Sequence, residues 1–294
     1  MSGPQTPVAL VAGASHAVIS PRGAEVLAWR VGETPMLWTP DPAVWPDVAP
    51  LLFPVVGWTR HGVRHRGKAY DLGLHGFARA SQFAVDQQAS DRVRMTLVDT
   101  AATRAVYPFA FRFTVEHVLR PGSLETRLTV ANPGAAPLAY AVGLHPGFRW
   151  PPGAGAAPSI TFAKQERAET PVIAAGGLFS PQWRPTPLVD GRRLPLTAEA
   201  FAQEALCFLN IASRRFVYDN GAGARVTVTL DDFPHVAFWA RPPAPFICLE
   251  AWTGYGDPVG FAGEIFDKPS MRILPPGAQA HHGARFDLDA TARV

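Results

Sequence analysis

The chain has 294 residues, of which 47% are hydrophobic and 17% charged, with a formal net charge of +3. That balance supports a large buried core, excludes a disordered chain, and gives no broadly basic surface for nucleic acid. No run approaches the roughly 20 apolar residues of a membrane-spanning helix, and the opening MSGPQTPVAL lacks the basic-then-apolar order of a signal peptide. A cytoplasmic location is expected, with neither membrane nor nucleic acid as partner. The 30 prolines and 26 glycines favour short strands and turns over long helices.

Taken in chain order, the first distinctive segment is RHGVRHRGK, Arg60 to Lys68, the one basic cluster. It reads as a solvated β-hairpin turning at Gly67, because no aromatics are interleaved to stack bases. A phosphate-binding patch is the alternative. His61 and His65 are four apart and would pair on a helix, but Gly62 and the hairpin pattern oppose one. No metal site is expected there. In YDLGLH, strand alternation puts Asp71, Gly73 and His75 on one face.

Period-2 alternation then recurs in RVRMTLVDT, FRFTVEHVLR, SLETRLTVAN and ARVTVTLDDF. Each is a strand with one dry and one wet face, as antiparallel sheets supply. In PLAYAVGLH the same period places Ala139, Ala141, Gly143 and His145 together, and Pro146 ends the ladder. Both histidines thus stand at strand ends, on faces kept open by small residues. The segments Pro151–Pro158 and Pro181–Pro187 read as long loops. TAEAFAQEA, Thr197 to Ala205, is the helix candidate, with Thr197 as N-cap. Strands of one kind lie on both sides of every Pro-rich segment. The expectation is therefore one all-β domain over residues 1–294, a large antiparallel β-sandwich.

The strand PFICLEAW faces Ile247, Leu249 and Ala251 one way, and Phe246, Cys248, Glu250 and Trp252 the other. A buried carboxylate without partners costs several kcal/mol. Glu250 is therefore either used chemically or paired with an arginine such as Arg79 or Arg241. Cys207 and Cys248 sit in apolar runs and read as reduced, buried thiols. His281–His282 reads as a surface doublet. Two imidazoles and a carboxylate on an open, aromatic-edged face make an acid/base set. There is no GxSxG, P-loop, GxGxxG or HExxH motif.

Six pieces, in order, resemble the aldose 1-epimerase (galactose mutarotase-like) family, nearest its hexose-6-phosphate mutarotase and LacX-like branch. They are SPRGAEVLAW, LWTPDPAVWPDVAPLLFPVVG, GKAYDLGLHGFAR, VGLHPGF, EALCF and PFICLEAWTG. The resemblance implies a large antiparallel β-supersandwich with an open sugar-binding face, and interconversion of aldose anomers. It implies His145 as general acid and Glu250 as general base, with His75 and Arg79 holding substrate and Glu204 binding sugar hydroxyls. Two departures bear on substrate: Trp58 stands where the family often has arginine, and Glu204 where it often has aspartate. Arg60 shares strand parity with Trp58 and could replace the missing arginine. Trp58, Trp252, Phe77 and Phe148 are candidate stacking platforms. The expected partner is a small aldose or aldose phosphate, with no cofactor and no metal. A non-catalytic sugar-binding protein is the alternative. A glycosidase would need Asp231, Asp232 or Glu204 opposite Glu250.

Overall fold

The computed structural model describes residues 6–60, 62–151, 157–269 and 271–289. Its frame is a nine-stranded antiparallel sheet. In spatial order its strands are Arg193–Pro195, Ser159–Phe162, Arg215–Asp219, Arg225–Asp231, Gln279–Leu288, Ser123–Ala131, Arg112–Arg120, Arg92–Val98 and Ala84–Gln88. The alternating segments of the sequence fall in this sheet. Phe113, Val115, Leu128 and Val130 are fully buried. On the wet face Arg94, Glu116, Arg127 and Glu125 form a chain of ion pairs at 2.7–3.2 Å. Exposed pairs of this kind contribute at most about 1 kcal/mol each, so burial of the other face holds the sheet.

The second main layer runs Leu206–Phe208, His235–Ala240, Phe246–Trp252, Gly143–Leu144 and Leu51–Leu52, with Gly147–Arg149 also paired to Phe246–Trp252. All seven residues of Phe246–Trp252 are buried, and its two faces serve different purposes. Ile247, Leu249 and Ala251 join the main core, which runs from Val8 to Phe286. Phe246, Cys248 and Trp252 belong to two smaller clusters on the opposite face. Phe148 against Phe286 (5.3 Å between ring centroids) stitches the two layers together. A four-stranded sheet from Val8–Ala12 to Thr34–Pro35 closes one flank.

The basic segment forms the hairpin Val63–His65/Lys68–Tyr70, turning on Arg66 and Gly67 at positive φ, the geometry of a two-residue primed turn. Glu264 accepts both turn N–H groups, at 2.6 and 2.9 Å. His61, and with it the His61–His65 pairing, lies outside the described residues. Among the described residues, no helix is long and apolar enough to cross a membrane.

Several expectations need correction. Thr197 to Ala205 holds only the 3-10 turn Glu199–Phe201, whose N-cap is Ala198 and not Thr197, a residue that makes no side-chain cap hydrogen bond. The α-helix among the described residues is instead Ala101–Val106, capped reciprocally by Thr100 and Thr103. Pro181 and Pro185 lie in a strand, Leu178–Pro185, paired with Glu169–Ala174 and bridged elsewhere only at Phe179, to Pro258. A two-stranded ribbon has free edges, where a missing N–H does no harm. The strand at Tyr70 stops there, and His75 sits in a turn at φ 62°. His282 is buried, with Nε2 2.9 Å from Tyr140 Oη and Nδ1 3.1 Å from Asp232 Oδ2. Only His281 of that doublet is exposed.

Candidate active site

On the face of the six-stranded layer turned away from the main core lies a cavity of about 440 Å³. The strand Phe246–Trp252 supplies its floor through Glu250 and Trp252, and the neighbouring strand His235–Ala240 adds Trp239. His145 enters from the turn after Gly143–Leu144. Its Nε2 lies 3.3 Å from Glu250 Oε2. Glu250 Oε2 also accepts the indole N–H of Trp252 at 3.1 Å. His145 is 9% exposed and Glu250 only 2%.

Burial sets the protonation of this pair. It pushes the Glu250 carboxyl well above the usual carboxylate range, with the Trp252 N–H pulling the other way. It lowers His145 from 6.5 to about 3. Mutual attraction read from sequence suggests a carboxylate beside an imidazolium. Desolvation opposes that, favouring the neutral form of each group, with the proton they share on Glu250.

His75 faces His145 edge-on, with ring centroids 5.5 Å apart. Its Nδ1 accepts the Gly57 N–H at 3.0 Å. That bond fixes the neutral tautomer with hydrogen on Nε2, a donor for a ligand oxygen. Burial, then the neighbouring His145 and Arg79, keep His75 well below its ordinary pKa. Arg79 lines the cavity from a 3-10 turn, its guanidinium 3.3 Å from Asp47. Glu204 lines the opposite wall with its backbone at φ 85°.

Trp58 lines the cavity and is 44% exposed. Its loop is clamped from behind. Asp257 accepts the Arg60 N–H at 2.8 Å and pairs with the buried Lys268 ammonium at 2.6 Å. Asp257 also donates its own N–H to the Trp58 carbonyl. Arg60 does not line this cavity; it borders a separate crevice with Asp257 and Lys268. The parity argument for Arg60 fails because residues 53–60 are not a strand. Phe77 and Phe148 are not in the cavity either. Both pack in the main core.

Among the lining residues that escaped the sequence reading are Trp45, Asp47 and Trp239. Trp45 lies 5.4 Å from the His145 ring at an interplanar angle of 31°. Its loop is held by the Trp38 indole N–H on the Trp45 carbonyl, and by Glu25 accepting the Val48 and Ala49 N–H groups at 2.8 Å each. The repeated tryptophans and the WPD run were a usable signal, since aromatic and acidic side chains together suit a sugar. Of the carboxylates a glycosidase would need, Asp231 and Asp232 are outside the cavity. The rival pairing of Glu250 with Arg79 or Arg241 is not formed: Arg79 takes Asp47, and Arg241 donates to the Val44 carbonyl.

Residues 8–282 match the family model for aldose 1-epimerase. The chain is 28% identical over 253 residues to the chromosomal protein LacX of Lactococcus lactis subsp. lactis, covering 81% of this chain and 85% of that protein. It superposes with a TM-score of 0.89 on a galactose mutarotase related enzyme from Lactobacillus acidophilus, 27% identical, covering 97% of this chain and 98% of the other. A galactose mutarotase-like protein from Lactobacillus casei ATCC 334 gives a TM-score of 0.90 at 25% identity, covering 96% and 100%.

Proposed function

This chain belongs to the aldose 1-epimerase family and has the all-β galactose mutarotase-like fold, and we propose that it interconverts the α and β anomers of an aldose. Glu250 acts as general base and His145 as general acid. The observation that carries this reading is the 3.3 Å approach of His145 Nε2 to Glu250 Oε2 on the floor of a sugar-sized cavity. The anomeric hydroxyl and the ring oxygen share one carbon, so two groups this close can serve both.

The sugar itself completes the proton arrangement. Its anomeric O–H donates to Glu250, which favours the carboxylate, and its ring oxygen accepts from His145 Nε2–H, which favours the imidazolium. The base then takes the hydroxyl proton as the acid protonates the ring oxygen. The C1–O5 bond breaks and an aldehyde forms. Rotation about C1–C2 and closure with the roles reversed give the other anomer. Each proton transfer contributes about 10²–10⁴-fold. His75 Nε2–H and the tryptophans hold the ring.

A neutral hexose is the favoured substrate over a hexose 6-phosphate. Among the described residues lining the cavity, Arg79 is already paired with Asp47, and Glu204 adds a second acidic side chain. Such a wall repels a phosphate dianion. The two unpaired, buried cysteines suit a reducing, cytoplasmic setting.

Saturation-exchange NMR across free and 6-phosphorylated hexoses tests this. Anomer exchange above the solvent rate is expected for a free hexose, falling at least about 10²-fold in Glu250→Gln. Binding without faster exchange would identify a non-catalytic sugar-binding protein. A kcat/KM advantage for the 6-phosphate would overturn the neutral-sugar assignment.

A further inference from the structure

A second, far smaller cavity lies in the main core behind His145. Its volume is about 20 Å³, and every residue lining it is buried. Most of the wall is apolar, including Leu124 and Phe286. Four of the lining residues carry polar side chains: Trp29, His117, Thr126 and His145. Two of their atoms, Trp29 Nε1 and His145 Nδ1, are buried and make no hydrogen bond to another residue.

The other two side chains are fully determined. His117 Nε2 lies 2.8 Å from the Ala24 carbonyl, which can only accept. His117 therefore carries its hydrogen on Nε2, and its Nδ1 accepts from Thr126 Oγ1 at 3.0 Å. The Thr126 hydroxyl hydrogen is thus spent, and its oxygen has lone pairs to offer. The indole N–H of Trp29 is a donor only. His145 Nε2 faces the Glu250 carboxyl, and with the shared proton between those two atoms the remaining ring hydrogen sits on Nδ1. Two buried N–H donors then belong to residues that line one pocket, and they cannot satisfy each other. They need an oxygen with two lone pairs, and the pocket exceeds the roughly 10–15 Å³ that one water requires.

We propose that this pocket is a binding site for a single water, which accepts from Trp29 Nε1–H and His145 Nδ1–H and donates to Thr126 Oγ1. The water pins the ring hydrogen of His145 to Nδ1. Nε2, on the sugar side, is thereby the nitrogen that gains and loses a proton. The other cavity histidine is set the opposite way, because the Gly57 N–H claims its Nδ1. One imidazole is so prepared to transfer protons and the other to hold a hydroxyl. Trp29 and Thr126 are positioning residues that act through the water. The catalytic consequence rests on the reading of His145 as ring-oxygen acid; the water site does not.

The test begins with the wild-type protein. A crystal structure near atomic resolution should show one density peak within hydrogen-bond reach of both Trp29 Nε1 and His145 Nδ1. No peak, or a peak touching only one of them, overturns the proposal. ¹⁵N NMR at neutral pH, with His145 assigned by its loss in His145→Asn, should show a protonated Nδ1. A bare Nδ1 with hydrogen on Nε2 overturns the tautomer assignment. Trp29→Phe removes the indole N–H and keeps a ring. It should lower kcat about fivefold with little change in KM, and weaken the Nδ1–H preference in the NMR spectrum. An unchanged kcat and tautomer would show that the water has no positioning role. If wild-type protein exchanges no anomers, the functional reading fails, while density and NMR still decide on the water.

Discussion

At the residue scale, Glu250 and His145 hold one proton across 3.3 Å, and their environment decides when that proton count changes. The pKa of His145 is pushed down by burial to about 3. As pH falls, a second proton therefore enters the empty site only near that value. The kcat/KM profile reports the free enzyme, so it should stay flat through pH 6.5 and decline only below about 4 (an unperturbed histidine would titrate at about 6.5). An acid limb centred at 6.5 would mean that His145 titrates freely and is not the buried acid. The raised carboxyl of Glu250 also carries a stability consequence. Gln is its neutral isostere, so Glu250→Gln should lose activity while its Tm equals or exceeds that of the wild type. A lower Tm would show that the carboxyl is structural. Glu204 bears on the same trade-off. At φ 85° a residue with a Cβ carries strain of order 1 kcal/mol or more, which glycine escapes. Glu204→Gly should therefore raise stability in urea by up to about 1 kcal/mol and raise KM for the sugar. Unchanged KM would remove Glu204 from the substrate contacts.

At the element scale, the turn GLHPGF delivers His145, and its glycines are there for the aromatic rings that close on them. A Cβ on Gly143 would stand 2.8 Å from Trp252 Cδ1, and one on Gly147 would stand 2.5 Å from Trp45 Cζ3. Both rings line the cavity, and Trp45 packs against the histidine. The small residues around His145 were legible as room beside a strand end. What fills that room was not legible, because Trp45 arrives from a loop some hundred positions earlier, and no local periodicity predicts it. The open face at His75 was read from a strand that ends at Tyr70, before it reaches the histidine. A tight turn, with His75 and Gly76 both at positive φ, presents the ring instead. Gly147→Ala should displace Trp45 from His145, destabilising the fold by about 1–3 kcal/mol through overpacking, and should cut kcat more than it raises KM. Tryptophan fluorescence of the folded variant checks the displacement. An unshifted spectrum with wild-type kcat would separate the Trp45 platform from catalysis.

At the scale of the whole molecule, the two-sheet frame was readable because antiparallel strands with one wet face print their period into the sequence, as in Ser123–Ala131 against Arg112–Arg120. The cavity walls come from loops such as 41–50 and 57–60, whose paths are set by hydrogen bonds to distant chain, and these leave no such print. Folding also buries histidines throughout the molecule. His117 and His235 are pushed down by burial to about 4, and His145 to about 3. His75 and His282 are shifted in the same direction. In each, the unfolded chain takes a proton near pH 6.5 that the folded chain refuses, so stability rises with pH across this window. Each such histidine contributes a slope of at most about 1.4 kcal/mol per pH unit. Two carboxyls, Glu25 and Glu250, are raised by burial and oppose this above pH 4.5, because there the folded state keeps protons that the unfolded chain has released. His65 is lowered as well, so six histidines among the described residues outnumber these two carboxyls, and the net slope between about pH 4.5 and 6.5 is positive. The urea midpoint should therefore fall steadily as pH is lowered from 7 to 5, with an unchanged m-value. His117→Asn, which keeps a polar side chain without a titrating ring, should flatten the fall by one histidine's share. A midpoint that holds level or rises toward pH 5 would show that the buried carboxyls, and not the histidines, set the acid stability of this fold.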